Sequence, residues 1–129
     1  VRLEANICRL LNCNLNQLEP FQLLRYRPGE KFDFHLDTQG ASSSGAQRGD
    51  RRYTVVVYLN DLDDLDVGGT TYFPALGLKI QPCSGVAVVW ENLLPNYEVD
   101  TRTLHCGEAP SFSEKYVLAT FCSDIVGEK

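Results

Sequence analysis

From residue 21 onward, short apolar runs alternate with turn-forming residues, and this alternation restricts the fold more than any other feature. Short runs rich in Val, Tyr and Phe between Gly, Pro and Asp indicate β-strands. The run at 53–59 is apolar on both faces, so it is predicted to be a central strand covered on both sides. A mainly β fold of two sheets, a barrel or jelly roll, follows. The predicted strands are at 21–26, 32–36, 53–59, 70–73, 78–80, 86–90, 103–105 and 116–122.

The first twelve residues have a helical period instead. Leu3, Ile7, Leu10 and Leu11 share one helical face, which predicts an amphipathic helix packed on a larger body. A length of 129 residues with 43% hydrophobic content suits a single domain with its own core. The prediction is therefore one domain over residues 1–129. Because the chain begins at Val1 rather than Met, we expect it to be N-terminally truncated.

Charge and apolar distribution argue against two classes of partner. The chain has 12 Lys and Arg against 17 Asp and Glu, a net charge of −5, and no basic stripe that would suit nucleic acid. No apolar run approaches the ~20 residues of a membrane span. The cysteines lack Cys-x-x-Cys spacing, so a zinc ribbon is not predicted, whereas a Cys8–Cys13 pair stays open.

Two histidines and one aspartate carry the strongest chemical signal. His35 and Asp37 are two residues apart in a strand-like run, so their side chains leave the same face. The second of the two histidines, His105, lies 70 positions later (105 − 35) in another strand-like stretch. Two imidazoles and a carboxylate leave about three positions of an octahedral ion open, as in non-haem iron(II) oxygenases. A hydrogen-bonded pair at a strand end is the alternative for His35 and Asp37 alone.

Lys115 precedes the apolar strand predicted at 116–122, where an unpaired ammonium would be costly to bury. A carboxylate of a co-substrate would compensate its charge. Tyr58 lies within the apolar run at 53–59, and its phenol can donate a hydrogen bond to the same carboxylate. The alternatives are a lysine whose ammonium reaches water and a tyrosine of the core.

Two polar segments separate predicted strands. The Gly- and Ser-rich stretch at 38–50 has no apolar anchor and is predicted to be a mobile loop over Asp37, either a lid or a tolerated insertion. The aspartates at 61–66 resemble the start of a calcium loop, but its twelfth position is Tyr72 rather than Glu. We interpret this segment as a solvated hairpin turn.

Four blocks of sequence together carry a family resemblance. They are YRPGEKFDFHLD at 26–37, RRYTVVVYLNDLDDLDVGGTTYFP at 51–74, KIQPCSGVAVVWEN at 79–92 and HCGEAPSFSEK at 105–115. In this order they resemble the prolyl 4-hydroxylase family of iron(II)- and 2-oxoglutarate-dependent oxygenases. The resemblance implies a double-stranded β-helix, or jelly roll, with an N-terminal supporting helix.

The resemblance also implies a site and its cofactors. Fe(2+) would be held by His35, Asp37 and His105, and the distal carboxylate of 2-oxoglutarate would pair with Lys115. O2 and L-ascorbate complete the expected cofactors, and the three ligands and Lys115 are the expected catalytic residues. Further co-substrate contacts are implied for Tyr58, Tyr26 and Thr71, and substrate contacts for Arg51, Phe121 and Trp90.

Three departures from the family pattern concern substrate choice and stability more than the metal site. Phe32 stands where related enzymes usually carry Tyr, which would remove a hydroxyl contact with the substrate. Ser113 replaces the usual Gly before Glu114 and Lys115. Much of the N-terminal region that supports the sheet in this family is expected to be missing from the chain.

The expected activity is hydroxylation of prolyl residues in a protein or peptide, coupled to oxidative decarboxylation of 2-oxoglutarate to succinate and CO2. Two alternatives stay open: a 2-oxoglutarate oxygenase acting on a free amino acid or another protein side chain, and a catalytically inactive metal-binding module. The expected partner is a proline-containing protein or peptide, and the sequence does not specify a partner subunit. The expected location is the endoplasmic reticulum lumen for a collagen-type or plant-type member and the cytoplasm otherwise.

Overall fold

The computed structural model describes residues 2–38 and 50–123, which form two antiparallel four-stranded sheets and one N-terminal helix. The first sheet has the order β1-β8-β3-β6 and the second the order β2-β7-β4-β5. The predicted mainly β double-stranded β-helix with an N-terminal helix is confirmed. The strands are β1 (Gln22–Tyr26), β2 (Phe32–His35), β3 (Arg51–Tyr58), β4 (Thr71–Phe73), β5 (Leu78–Ile80), β6 (Ala87–Glu91), β7 (His105–Gly107) and β8 (Lys115–Ser123).

Strand β3 lies inside the first sheet, where it pairs with β8 on one side and β6 on the other. Because side chains alternate along a strand, its apolar run divides between two layers. Val55 and Val57 pack in the cluster beneath the helix, whereas Val56 and Tyr58 pack on the opposite side. The prediction of a central strand covered on both faces is confirmed.

Helix α1 (Arg2–Leu11) packs on this sheet through Ile7, which contacts the cluster of Val55 and Val57. The predicted apolar face is wrong at Leu10, which is 69% exposed. At 3.6 residues per turn, Leu3 and Leu11 lie within about 40° of Ile7 around the helix axis, whereas Leu10 lies about 60° away. The contact with the sheet therefore extends about 40° to either side of Ile7 and does not include Leu10 at about 60°.

Replacing Ile7 by Ala should therefore lower the free energy of unfolding by about 3 kcal/mol, because a buried side chain would leave a cavity under the helix. Leu10→Ala on the same helix is the matched control and should change it by no more than about 0.5 kcal/mol. Urea unfolding followed by circular dichroism measures both variants. Equal losses in the two variants would contradict the packing described for α1.

The strand predicted at 103–105 is wrong in its position, because residues Thr101–Thr103 form a 3-10 helix and β7 begins at His105. The Asp100 carboxylate accepts a hydrogen bond from the Arg102 amide at 3.1 Å, and the Asp100 carbonyl accepts from the Thr103 amide at 3.0 Å. Such local bonds favour a turn over an extended chain. His105 therefore begins its strand.

The aspartate-rich segment is a connection between the two sheets rather than the predicted hairpin turn, since β3 and β4 belong to different sheets. Its carboxylates bind the protein's own main chain. Asp66 accepts hydrogen bonds from the amides of Ser111, Phe112 and Ser113 at 2.9, 2.6 and 3.1 Å. Asp66 thereby joins the 61–66 segment to the segment that precedes β8.

Three further observations concern the loop predicted at 38–50, the cysteines and the helices. The predicted mobile loop at 38–50 falls on residues 39–49, which lie outside the described residues. None of the five cysteines, all of which lie among the described residues, forms a disulfide, and this includes Cys8 and Cys13. Within residues 2–38 and 50–123, no helix combines the length and the apolar character needed to cross a membrane.

Candidate metal centre

A cavity of about 190 Å³ lies between the two sheets and collects side chains from both. Strands β1, β3 and β8 contribute one wall, and β2, β4 and β7 the other. Of the ten residues predicted for the site, nine line this cavity: Tyr26, His35, Asp37, Arg51, Thr71, Trp90, His105, Lys115 and Phe121. The antiparallel fold thus unites residues that are distant in sequence.

Three of these residues meet at one point. His35 on β2 is the direct cross-strand partner of His105 on β7, and Asp37 follows two residues after His35. The Oδ1 atom of Asp37 lies 3.2 Å from Nε2 of His35 and 3.5 Å from Nε2 of His105. One ligand atom from each residue lies within 4.8 Å of the others, so the predicted His-Asp-His cluster is present.

Main-chain carbonyls fix the tautomer of both histidines. Nδ1 of His35 lies 2.7 Å from the carbonyl oxygen of Asp33, and Nδ1 of His105 lies 2.7 Å from that of Thr103. Because a carbonyl oxygen only accepts, each Nδ1 carries the proton and donates it. Each Nε2 therefore presents a lone pair towards Asp37, which is the form that binds a metal.

The electrostatics of the cluster favour a carboxylate beside imidazole. Burial alone would raise the pKa of Asp37, but the adjacent His35 and His105 rings in their protonated form and the hydrogen bond from the Thr54 hydroxyl lower it. Burial lowers the pKa of His105, and this outweighs the attraction of Asp37. For His35, the hydrogen bonds to Asp37 and Asp33 outweigh burial and raise the pKa. Asp37 is accordingly held as an anion.

The donor set fits a divalent ion of the iron type. Three ligands at right angles, each about 2.1 Å from one ion, are about 3 Å apart, close to the observed 3.2 and 3.5 Å. Structural zinc prefers four protein ligands, often including cysteine. Cys106 adjoins His105 in sequence but does not join the cluster among the described residues. Two imidazoles and one carboxylate with open positions match non-haem iron(II).

Lys115 brings a buried positive charge to the same cavity. Its side chain is 2% exposed, and Nζ donates a hydrogen bond to the Gly69 carbonyl at 3.0 Å. Nζ also lies 4.3 Å from the ring centroid of Tyr26. Burial lowers the pKa of Lys115 to about 8. Among the described residues its hydrogen-bond partners are neutral carbonyls, so the ammonium has no carboxylate partner.

The glycines at 68 and 69 allow this carbonyl to reach Lys115. Gly69 has a φ of +74°, a conformation that strains L side chains, and its amide donates to the Ala109 carbonyl at 3.1 Å. A Cβ atom on Gly68 would lie 2.7 Å from the same Ala109 oxygen. The glycine pair therefore lets two loops approach closely beside the cavity.

Of the three predicted co-substrate residues other than Lys115, Tyr26 and Thr71 line the cavity and Tyr58 lies behind Thr71. Tyr26 lines the cavity directly, with its ring beside the Lys115 ammonium. Tyr58 is completely buried and is not among the cavity-lining residues; its hydroxyl bonds to Oγ1 of Thr71 at 2.7 Å. Thr71 lines the cavity. Tyr58 is thus connected to the cavity through Thr71.

The predicted substrate residues surround the metal cluster. Arg51 binds the Glu19 carboxylate from Nε and Nη2 at 2.6 and 2.7 Å, and donates to the Asp37 carbonyl at 3.2 Å. Its guanidinium lies 3.8 Å above the ring of Phe121. The indole of Trp90 packs edge-on against the His105 ring, with centroids 4.8 Å apart. Substrate contact by these residues stays a prediction.

Sequence reasoning did not assign Glu19, Asn92 or Thr54 to the site. Glu19 binds Arg51 across 32 positions, and Asn92 donates to Thr54 across 38. Such contacts depend on strand register, which residue types alone do not give. Asn92 lies two residues beyond the strand predicted at 86–90, so the sequence pattern gave no signal that its amide would be buried.

The pKa of Lys115 predicts a pH-dependent stability. The unfolded side chain has its ordinary pKa of 10.5, whereas the folded one has a pKa of about 8. Between these values the unfolded chain binds more protons, so this group makes the free energy of unfolding rise with pH. We expect the free energy of unfolding of the wild type, minus that of Lys115→Met, to rise between pH 8 and pH 10.5. Parallel urea titrations with a constant difference would contradict a buried ammonium.

Comparison with known sequences points to one family. The family model described as the 2OG-Fe(II) oxygenase superfamily matches residues 21–123. A putative prolyl 4-hydroxylase of Acanthamoeba polyphaga mimivirus is 34% identical over 119 residues, which cover 87% of this chain and 48% of that protein. Prolyl 4-hydroxylase 13 of Arabidopsis thaliana is 31% identical, over 82% of this chain and 43% of that protein. The chain spans less than half the length of these relatives.

Solved structures agree with the fold. A truncated form of the viral collagen prolyl hydroxylase of Paramecium Bursaria Chlorella virus-1 matches with a TM-score of 0.82 at 25% identity, over 96% of this chain and 67% of that one. A prolyl-4-hydroxylase of Pseudomonas putida matches with a TM-score of 0.59 at 25% identity, over 96% and 62%. The family resemblance carried by the four sequence blocks is confirmed.

Proposed function

Because this chain belongs to the 2OG-Fe(II) oxygenase superfamily, we propose that it is an iron(II)- and 2-oxoglutarate-dependent oxygenase that hydroxylates prolyl residues in a protein or peptide. The observation that carries the proposal is the presence of a His-Asp-His cluster and the buried ammonium of Lys115 in one cavity. The cluster alone would fit an ion. The cluster and the ammonium together fit an ion and a dicarboxylate.

The three ligands have a defined task in this proposal. Nε2 of His35, Nε2 of His105 and Oδ1 of Asp37 would hold the iron. With 2-oxoglutarate bound, iron supplies the oxidising chemistry that inserts one oxygen atom of O2 into a C–H bond while 2-oxoglutarate becomes succinate and CO2. The protein's residues orient both substrates and exclude water.

Lys115 is the anchor for the distal carboxylate of 2-oxoglutarate. An ammonium that is 2% exposed interacts strongly with an anion, because little water screens the charges. The negative charge of the carboxylate would also oppose the effect of burial, which lowers the pKa of Lys115. Tyr26, whose ring lies beside the ammonium, and the Thr71 hydroxyl, which is hydrogen-bonded to Tyr58, would orient the same ligand.

The charges around the cavity favour a prolyl residue in a chain over a free amino acid. A free amino acid carries an ammonium and a carboxylate that both need partners. The Arg51 charge is already paired with Glu19, and Lys115 is taken by the co-substrate. The stacked Arg51 and Phe121 present a wall of low net charge, which suits the apolar pyrrolidine ring. The relatives named above are prolyl 4-hydroxylases, which supports the same substrate class.

Succinate formation tests the proposal. The chain is incubated with Fe(2+), 2-oxoglutarate, O2 and L-ascorbate, the expected reductant, together with a proline-rich peptide or its Pro-to-Ala counterpart. We expect succinate and one added oxygen atom per modified proline with the first peptide alone. Asp37→Ala, which loses a metal ligand, should form no succinate.

The same assay separates the alternatives. Succinate without peptide oxidation would indicate an oxygenase acting on a different substrate. Iron binding without any succinate formation would indicate a metal-binding module of the same fold. Retained succinate formation by Asp37→Ala would refute the role of the cluster.

Lys115→Met should weaken 2-oxoglutarate binding without loss of iron. The lost charge-assisted hydrogen bond is worth about 1.5–3 kcal/mol, so we expect the KM for 2-oxoglutarate to rise roughly 10- to 100-fold. Lys79→Met is the matched control, because Lys79 pairs with Glu108 and is 54% exposed at the side chain. Initial-rate kinetics at saturating iron measure both. An unchanged KM in Lys115→Met would contradict the anchor.

A further inference from the structure

A chain of hydrogen bonds leads from Trp90 to Asp37. Nε1 of Trp90 lies 2.9 Å from Oδ1 of Asn92, and Nδ2 of Asn92 lies 2.9 Å from Oγ1 of Thr54. Oγ1 of Thr54 in turn lies 2.7 Å from Oδ2 of Asp37. Asn92 is completely buried and Thr54 is 2% exposed, so water does not compete for the two bonds of Thr54, whereas the bond from Trp90 is partly buried.

The indole fixes the direction of every bond in this chain. The indole nitrogen is a donor only, so the Asn92 oxygen must accept from it. The Asn92 amide nitrogen then faces Thr54 and donates to its oxygen. The Thr54 hydroxyl, whose oxygen already accepts one bond, is left to donate its proton to Asp37. Each group in the chain is thereby matched to its neighbour.

We propose that Trp90 is a positioning residue that acts through Asn92 and Thr54 to hold Asp37 with one oxygen free for the metal. This inference rests on the proposed metal site. Oδ2 of Asp37 is occupied by Thr54, and Oδ1 faces both histidine Nε2 atoms. The chain of bonds therefore decides which carboxylate oxygen becomes the ligand.

The consequence concerns the number of open positions at the ion. A carboxylate binds metals through one oxygen or through both. If Oδ2 were free to turn inwards, Asp37 would occupy two positions and leave fewer for the co-substrate and O2. The Thr54 hydroxyl opposes that rotation, because the bond to Oδ2 would be lost in a buried site.

Trp90 also supports a second ligand. Its ring packs edge-on against His105, with centroids 4.8 Å apart, and against Phe73, with centroids 4.9 Å apart. Strand β6, which carries Trp90, and strand β7, which carries His105, belong to different sheets. One side chain thus links two ligands through different contacts, a ring contact to His105 and a hydrogen-bond chain to Asp37.

Cobalt(II) binding tests the inference without relying on turnover. Thr54→Val keeps the shape of the side chain and removes the donor, whereas Thr54→Ser keeps the hydroxyl. Loss of an outer partner of a ligand typically weakens metal binding about 10- to 100-fold, so we expect at least tenfold weaker binding for Thr54→Val. We expect near wild-type affinity for Thr54→Ser. Calorimetric titration gives the affinity, and the visible absorption of bound cobalt reports its coordination.

Thr120→Val is the matched control. Thr120 is completely buried in the same sheet, and its hydroxyl donates to the Glu19 carbonyl at 2.7 Å rather than to a ligand. This variant should keep both the affinity and the cobalt spectrum of the wild type. If Thr120→Val weakened cobalt binding as much as Thr54→Val, a general loss of packing would explain the result and the inference would be overturned.

Trp90→Phe provides a second, independent variant. It keeps a ring against His105 but loses the indole donor, so we expect severalfold weaker cobalt binding and the spectral change seen in Thr54→Val. Wild-type affinity and spectrum in Trp90→Phe would overturn the inference, whatever the result for Thr54→Val. His35→Ala separates this failure from failure of the metal site: if it binds cobalt like the wild type, the proposed site itself is wrong.

Discussion

The pairing of β2 with β7 is the constraint on which the site depends. This register sets His35 opposite His105, and the chain then turns so that Asp37 reaches both rings. A shift of one residue would send one imidazole to the other face of its strand, because side chains alternate. The short strands β2 and β7 of the second sheet thus fix the spacing of the three ligand atoms.

The first sheet supplies the apolar core and two further polar groups of the cavity. Its long strands β3 and β8 carry a Val-rich core, and the same strands place Thr54 and Lys115 at the cavity. The two buried polar groups differ in how well the protein compensates them. The Thr54 hydroxyl is fully hydrogen-bonded, whereas the hydrogen bonds of the Lys115 ammonium within the described part of the chain go to main-chain carbonyls. A satisfied group stabilises the fold, and an incompletely compensated charge favours a ligand of opposite sign.

The sequence predicted the strands and the ligands because both depend on local patterns. Alternating and continuous apolar runs reflect burial, and the two-residue spacing of His35 and Asp37 reflects the period of a strand. Leu10 was misplaced because the contact face of a helix is set by the surface on which it packs. The hydrogen bond between Asn92 and Thr54 could not be foreseen, since it requires the register of β3 with β6. Such long-range polar contacts follow from the fold as a whole.

The hydrogen bonds from the amides of residues 111–113 to Asp66 have a consequence for how the cavity would receive an anion. These bonds join the segment before Gly69 to the segment before Lys115. The Gly69 carbonyl and the Lys115 ammonium, which are hydrogen-bonded to each other, are therefore each held a few residues along the chain from this connection. Their arrangement is completed while the protein folds. A dicarboxylate that binds there as proposed would meet polar atoms that the fold has already brought together, so its capture would cost little conformational entropy.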